Sequence, residues 1–135
     1  MPRHITIAFP GQGSQFIGML NHLPKDFIGI FKDEIKESLN FNLLDIIKNG
    51  SEEDLNRTSI TQPAILLTSY LEYRFIVDKL NIKPDLLCGH SLGEYTALVA
   101  AESISLKDAL QTVHKRGLYM EDSLSGSMYL SLIHI

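Results

Sequence analysis

Asp85-Leu86-Leu87-Cys88-Gly89-His90-Ser91-Leu92-Gly93-Glu94-Tyr95 is the stretch on which the fold turns. Residues 85–88 form a short run, too short for a helix and bounded by Gly89, which predicts a buried strand. A helix is predicted directly after it, over about Leu92–Ala101. Between them Gly89-His90-Ser91-Leu92-Gly93 is a G-x-S-x-G in the strand-to-helix context that raises a serine above a sheet edge. A turn that sharp crowds the backbone near the serine Cβ, and glycine on each side leaves the room. The turn also aims the following N–H groups at an incoming oxyanion, and the start of the helix favours negative charge. Ser91-Leu92-Gly93-Glu94 is also S-x-x-E, a capping box, so a plain helix cap stands beside the nucleophile as a reading of Ser91.

Outward from this point, His4-Ile5-Thr6-Ile7-Ala8-Phe9 is β-rich and stopped by Pro10, which predicts a first strand. The loop Pro10-Gly11-Gln12-Gly13-Ser14-Gln15 fits neither the dinucleotide fingerprint nor a Walker A loop. A turn is its plain reading, with the Gln12 amide available to a site. Phe27, Ile28, Phe31, Ile35 and Leu39 recur at threes and fours and predict one helix over about Pro24–Leu39. A shorter helix is expected over Leu43–Lys48, ended by Asn49-Gly50, and Ser51-Glu52-Glu53-Asp54 has the spacing to start another turn. Thr61–Leu80 predicts a long helix, with Thr61 as its cap, Pro63 in its first turn and Leu66, Tyr70, Tyr73, Val77 and Leu80 as one apolar stripe. A last helix runs from Ser105, with Asp108 completing a capping box, to about Asp122, presenting Leu106, Ala109, Leu110, Val113, Gly117 and Met120. Residues 123–127 read as a linker and 128–135 as strand-like.

Strands alternating with helices imply an α/β fold with a mostly parallel sheet. Three visible strands are too few to cover the apolar faces of these helices, which suggests a piece of a larger unit. The length, 135 residues, is about one domain's worth. Lys plus Arg is 12 against 16 for Asp plus Glu, a net charge of −4, and this lacks the basic excess of a nucleic-acid binder. No apolar run approaches the ~18 residues of a membrane span, and no charged-then-apolar opening predicts a secretory signal. The single cysteine, Cys88, points to a reducing cytoplasm.

A serine nucleophile needs a base. His90 adjoins Ser91 on a sharp turn, where neighbouring side chains diverge, and reads as structural. His114 lies beside the apolar face of the last helix and reads as a boundary residue. No histidine of the chain stands out as the base. Arg116, near the edge of that face, reads either as a solvated helix residue or as a clamp for a carboxylate.

Four stretches occur in one order: Phe9-Pro10-Gly11-Gln12-Gly13-Ser14-Gln15, Thr61-Gln62-Pro63-Ala64, Gly89-His90-Ser91-Leu92-Gly93-Glu94-Tyr95 and Lys115-Arg116-Gly117. Together they resemble the malonyl-CoA:acyl-carrier-protein transacylases of fatty acid synthesis and the related acyltransferase domains of polyketide synthases. The resemblance runs over roughly residues 5–128. It implies the N-terminal part of an α/β-hydrolase-like acyltransferase lobe with a largely parallel sheet, the small ferredoxin-like lobe being mostly missing. Residues 1–128 are then an incomplete large lobe with the start of the small lobe, and 129–135, which do not match the expected strand, a non-native tail. The resemblance makes Ser91 the nucleophile that carries malonate as an ester before a phosphopantetheine thiol removes it. It makes the backbone N–H groups of Gln12 and Leu92 the oxyanion hole, Arg116 the partner of the malonyl carboxylate and His90 a residue shaping the site. Malonyl-CoA and acyl carrier protein are the implied partners of a monomer, with neither nucleic acid nor membrane. No metal or prosthetic cofactor is implied, coenzyme A entering as the substrate thioester. The family's base is a histidine after the small lobe, so this chain is expected to lack it, which leaves its activity alone an open question. A serine hydrolase of acyl thioesters and a non-catalytic carrier-binding fragment are the alternatives.

Overall fold

Among the described residues two short segments form strands, and they pair with each other. The computed structural model describes residues 3–123. Along these, β1 (Thr6–Phe9) is followed by α1 (Lys25–Ile30), α2 (Lys32–Ser38), α3 (Leu43–Asn49), α4 (Glu52–Leu55) and α5 (Thr58–Leu80), then by β2 (Leu86–Gly89), α6 (Leu92–Ala100) and α7 (Leu106–Ser123). The strands run parallel, with Thr6 opposite Leu86 and Phe9 opposite Gly89. Asp85 locks this register, its carboxylate accepting from the Ile5 N–H at 2.8 Å while its own N–H donates to the Ile5 carbonyl at 2.9 Å. The α/β reading with a parallel sheet therefore holds.

The long helix α5 is the centre of the molecule. Every residue from Ser59 to Leu71 is buried. α7 lays Leu106, Ala109, Leu110 and Val113 into the core on α5, and α6 packs between α5 and the two strands. α3 and α4 add Leu43, Ile47 and Leu55, each 1% exposed. Fully burying one such side chain contributes about 1.5–3 kcal/mol. Serines start two of the helices as their spacing predicts: Ser51 Oγ accepts from the Asp54 N–H and Ser105 Oγ from the Asp108 N–H.

Four expectations need correction. The helix expected over 24–39 is two helices that meet at Phe31. There the backbone reaches φ −98°, ψ −3° and the Phe31 N–H bonds to Ile28, one residue closer than an α-helix requires. Tertiary packing outweighs the periodic signal, because the turn seats the Phe31 ring between Phe27 and Tyr70, under the Arg74 guanidinium. The run 85–88 is a strand, but Leu86 is 57% exposed and Cys88 is exposed, because this two-stranded sheet is covered only on one face by described residues. The stripe expected on α5 is instead a helix buried all round in its first half, with Leu80 exposed at its far end. Finally, α5 begins at Thr58, one turn before Thr61, whose hydroxyl points back to the carbonyl oxygens of Arg57 and Leu55. Most of the expected 123–127 linker, the 128–135 strand and the 129–135 tail fall in 124–135, outside the described residues.

The early start of α5 puts Pro63 inside the helix rather than in its first turn. Proline has no N–H, so the carbonyl of Ser59, four residues back, loses its helical donor. His114 of α7 supplies the replacement, its Nδ1 lying 2.8 Å from the Ser59 oxygen, with the ring tilted against Phe41. Nδ1 must carry the proton to make this bond. The Ser59 N–H is met from α7 as well, by the Glu121 carboxylate at 2.7 Å, which caps a helix whose Arg57 cap residue offers no side-chain acceptor. His114→Ala is expected to destabilise the chain by about 1–3 kcal/mol, the cost of an unmet buried carbonyl. Pro63→Ala, which restores an N–H donor, is expected to recover part of that loss in the double variant. A double-mutant cycle by urea denaturation checks both, and strictly additive losses would count against the pairing.

Candidate active site

The elbow after β2 is built from backbone contact. A Cβ on Gly89 would collide with the Gly93 carbonyl group and come within 2.6 Å of the Glu94 nitrogen. One on Gly93 would strike the Phe9 carbonyl oxygen and sit 3.1 Å from that of Pro10. The turn is thus pressed against the end of β1 and the start of the following loop. Ser91 at its apex has φ +54° and ψ −113°. For a residue with a side chain this costs about 1–3 kcal/mol and persists only where the surroundings enforce it. The His90 carbonyl takes the Gly93 N–H at 3.0 Å, and the Ser91 carbonyl the Glu94 N–H at 3.1 Å.

The Ser91 side chain makes no capping hydrogen bond, so the cap alternative fails. Its Oγ instead accepts from Arg116 Nη2 at 3.0 Å. A guanidinium only donates, so the serine hydroxyl accepts here and keeps its own proton for another partner. Arg116 is therefore not a solvated helix residue: α7 delivers it to Ser91 across 25 residues of sequence. Its other terminal nitrogen, Nη1, donates to Gln62 Oε1 at 2.8 Å, and its charge lies 5.7 Å from the centre of the Tyr95 ring.

The remaining expected residues gather around this pair to different degrees. Leu92 opens α6 with a fully buried side chain, and among the described residues no backbone carbonyl takes its N–H. The Gln12 loop abuts the elbow, a Cβ on Gly11 coming 3.2 Å from the His90 carbonyl oxygen; Gln12 itself is exposed. The exposed His90 contributes its carbonyl to the turn. Among the described residues no histidine bonds to Ser91 Oγ: His4 faces Asp85, His22 faces Glu72 and His114 is held by Ser59. Nor do the described residues hold a cluster of three or more His, Cys, Asp or Glu suited to a metal, and no helix among them is long and apolar enough to cross a membrane.

Sequence reasoning gave Gln62 and Tyr95 no role. Both lay inside the quoted motifs, and Gln62 carried a readable signal, a lone amide within the predicted long helix. The role of Gly117 was also hidden. A Cβ there would run into Ser59 Cα and lie 2.7 Å from the Thr58 oxygen, so its absence lets α7 touch the α5 backbone and brings Arg116 into reach of Gln62.

A strained serine between glycines, raised between a parallel strand and a helix with a cation on its oxygen, has the geometry of a nucleophile elbow. The chain belongs to the acyl transferase domain family, whose model matches residues 6–131. It is 44% identical over 122 residues to a malonyl CoA-acyl carrier protein transacylase of Bacillus subtilis strain 168, covering 89% of this chain and 38% of that protein. The structure of the corresponding transacylase from Coxiella burnetii is similar with a TM-score of 0.85 at 36% identity, over 93% of this chain and 40% of that one. A complex of a type II polyketide synthase acyl-carrier protein with its malonyl-transacylase is similar with a TM-score of 0.80 at 36% identity, over 89% of this chain and 40% of that one. The chain thus spans about two fifths of the length of these relatives.

Gly117→Val is expected to force α7 off α5 and to lower stability by about 1–3 kcal/mol, the usual cost of overpacking. Urea denaturation measures the loss. The NMR signals of the Arg116 side chain should move to solvent-averaged positions, and an unchanged Arg116 environment would show that close approach at Gly117 is not what delivers it.

Proposed function

We propose that this chain carries the nucleophile and the carboxylate-binding residue of an enzyme that moves a malonyl group from malonyl-CoA to the phosphopantetheine thiol of acyl carrier protein, in fatty acid or polyketide synthesis. The observation that carries the reading is the 3.0 Å contact between Arg116 Nη2 and Ser91 Oγ. In a malonyl ester on Ser91 one methylene separates the ester carbonyl from the free carboxylate. A guanidinium touching the ester oxygen position is within reach of that carboxylate.

The steps follow from the groups present. Ser91 Oγ attacks the thioester carbonyl, its proton passing to a base that none of the described histidines provides. The tetrahedral oxyanion is held by the backbone N–H groups of Leu92 and Gln12; losing one such donor typically costs about 10²–10³ in rate. The C–S bond breaks and coenzyme A leaves as the thiol with the proton. The carrier thiol then attacks the Ser91 ester, a new C–S bond forms as the ester C–Oγ bond breaks, and the thiol's proton passes by way of the base to Ser91 Oγ. Arg116 pairs with the carboxylate in both half-reactions, and His90 shapes the turn. Coenzyme A is a substrate here and no prosthetic group is required. The names of the relatives support malonyl-CoA and acyl carrier protein as the two partners, and the carrier complex among the similar structures supports docking of such a carrier. The exposed, unpaired Cys88 supports a reducing cytoplasm as the setting, and we assign a monomer.

The absence of an imidazole at Ser91 Oγ among the described residues favours a second reading, a carrier-binding fragment without catalysis. Intact-mass measurement after mixing with malonyl-CoA separates the readings. Acyl transfer predicts a malonyl adduct that Ser91→Ala abolishes and that added holo carrier protein discharges faster than water does. Faster loss to water identifies a thioester hydrolase, and carrier binding without any adduct identifies the non-catalytic fragment. Arg116→Ala is expected to reduce malonyl loading relative to acetyl loading by about ten- to a hundredfold, as for loss of a charge-assisted bond.

A further inference from the structure

We infer that Gln62 is a neutral anchor: it fixes the Arg116 guanidinium at Ser91 without cancelling its charge, and so sets the preference for an acyl group that bears a carboxylate. The inference rests on the malonyl-transfer reading above.

Gln62 is fully buried in the all-buried half of α5. A buried amide needs partners at both ends. Oε1 accepts from Arg116 Nη1 at 2.8 Å, and Nε2 donates to Met120 Sδ at 3.2 Å. The orientation of the amide has a single solution. Arginine can only donate and a thioether can only accept, so the oxygen must face Arg116 and the nitrogen Met120. Arg116 and Met120 lie four residues apart, one turn of α7, so a single side chain of α5 grips one face of that helix.

The other groups around the guanidinium are neutral too, the Ser91 hydroxyl and the Tyr95 ring. Among the described residues the ion pairs are His4 with Asp85 and His22 with Glu72, and no carboxylate pairs with Arg116. A fixed, partly buried cation with only neutral partners attracts an anionic acyl group and gains nothing from an uncharged one. A glutamate at position 62 would keep the hydrogen bond to Nη1. It would also supply a resident carboxylate that competes with the substrate's, and it would leave Met120 without a donor.

Position 62 is therefore a positioning and specificity-determining residue, and the comparison of Gln62→Glu with Gln62→Leu separates charge from orientation. Wild type and both variants are mixed with malonyl-CoA or acetyl-CoA, and Ser91 loading is read by intact mass. In parallel, sodium malonate and sodium acetate are titrated against the Arg116 side-chain ¹⁵N signals. The malonyl-to-acetyl loading ratio is expected to fall about tenfold or more in each variant, in line with the weight of a charge-assisted hydrogen bond. The response to malonate should weaken to match. In Gln62→Glu the Arg116 signals should stay dispersed, in Gln62→Leu collapse towards solvent values. A folded Gln62→Glu with the wild-type ratio or malonate response overturns the inference. Should Gln62→Glu fail to fold, Gln62→Leu with the wild-type ratio or response overturns it equally. Wild type that neither prefers malonyl nor responds to malonate over acetate defeats the malonyl reading itself, and the inference with it.

Discussion

A helix buried on every side must have its polar groups satisfied by its neighbours, and most of this structure follows from that demand at α5. Between Ser59 and Leu71 the helix meets protein all round. It is nonetheless interrupted by a proline and carries several polar side chains. Glu121 meets the Ser59 N–H, His114 the Ser59 carbonyl orphaned by Pro63, and Arg116 with Met120 the two ends of the Gln62 amide. All four belong to α7. The Ser59 and Thr68 hydroxyls find no partner among the described residues, so the matching is concentrated on the backbone and on Gln62. The site grows out of this pairing, because the arginine that answers Gln62 extends one nitrogen further to Ser91.

The second constraint is steric. Gly93 allows the elbow to rest on the end of β1, Gly89 allows the turn to fold on itself, and Gly117 allows α7 to touch α5. Missing Cβ atoms thus set three backbone separations, and together these fix Ser91 and Arg116 relative to each other. The positive φ of Ser91 is held from both sides: β2 enters the turn in register with β1, and α6 leaves it with its first residues buried. Side-chain placement at the site is therefore a property of backbone packing.

The electrostatic character of the site is equally a product of packing. A guanidinium is usually met by a carboxylate when it leaves bulk water, since an unmatched buried charge is costly. Here an amide oxygen, a hydroxyl and an aromatic face take that place. The cation is oriented but not neutralised, and the serine it touches retains its proton for a base.

The sequence by itself determined the strand–turn–helix around Ser91, the parallel pairing it implies, the serine starts of α4 and α7 and the buried face of α7. Each depends on spacing within a few residues, where glycine, serine and apolar side chains act through local sterics and local hydrogen bonds. For Arg116 the sequence left two readings open, a solvated helix residue or a carboxylate clamp, and its contact with Ser91 was in neither. Tertiary structure alone decided the break at Phe31, the early start of α5, the exposure of β2 and the service of His114 to Pro63. It alone joined Gln62 to Arg116 and Arg116 to Ser91. Those outcomes link residues 25 to 62 positions apart, or depend on what covers a surface. The free energy of filling a core and meeting its buried polar groups belongs to the whole packed chain, and no window of sequence contains it.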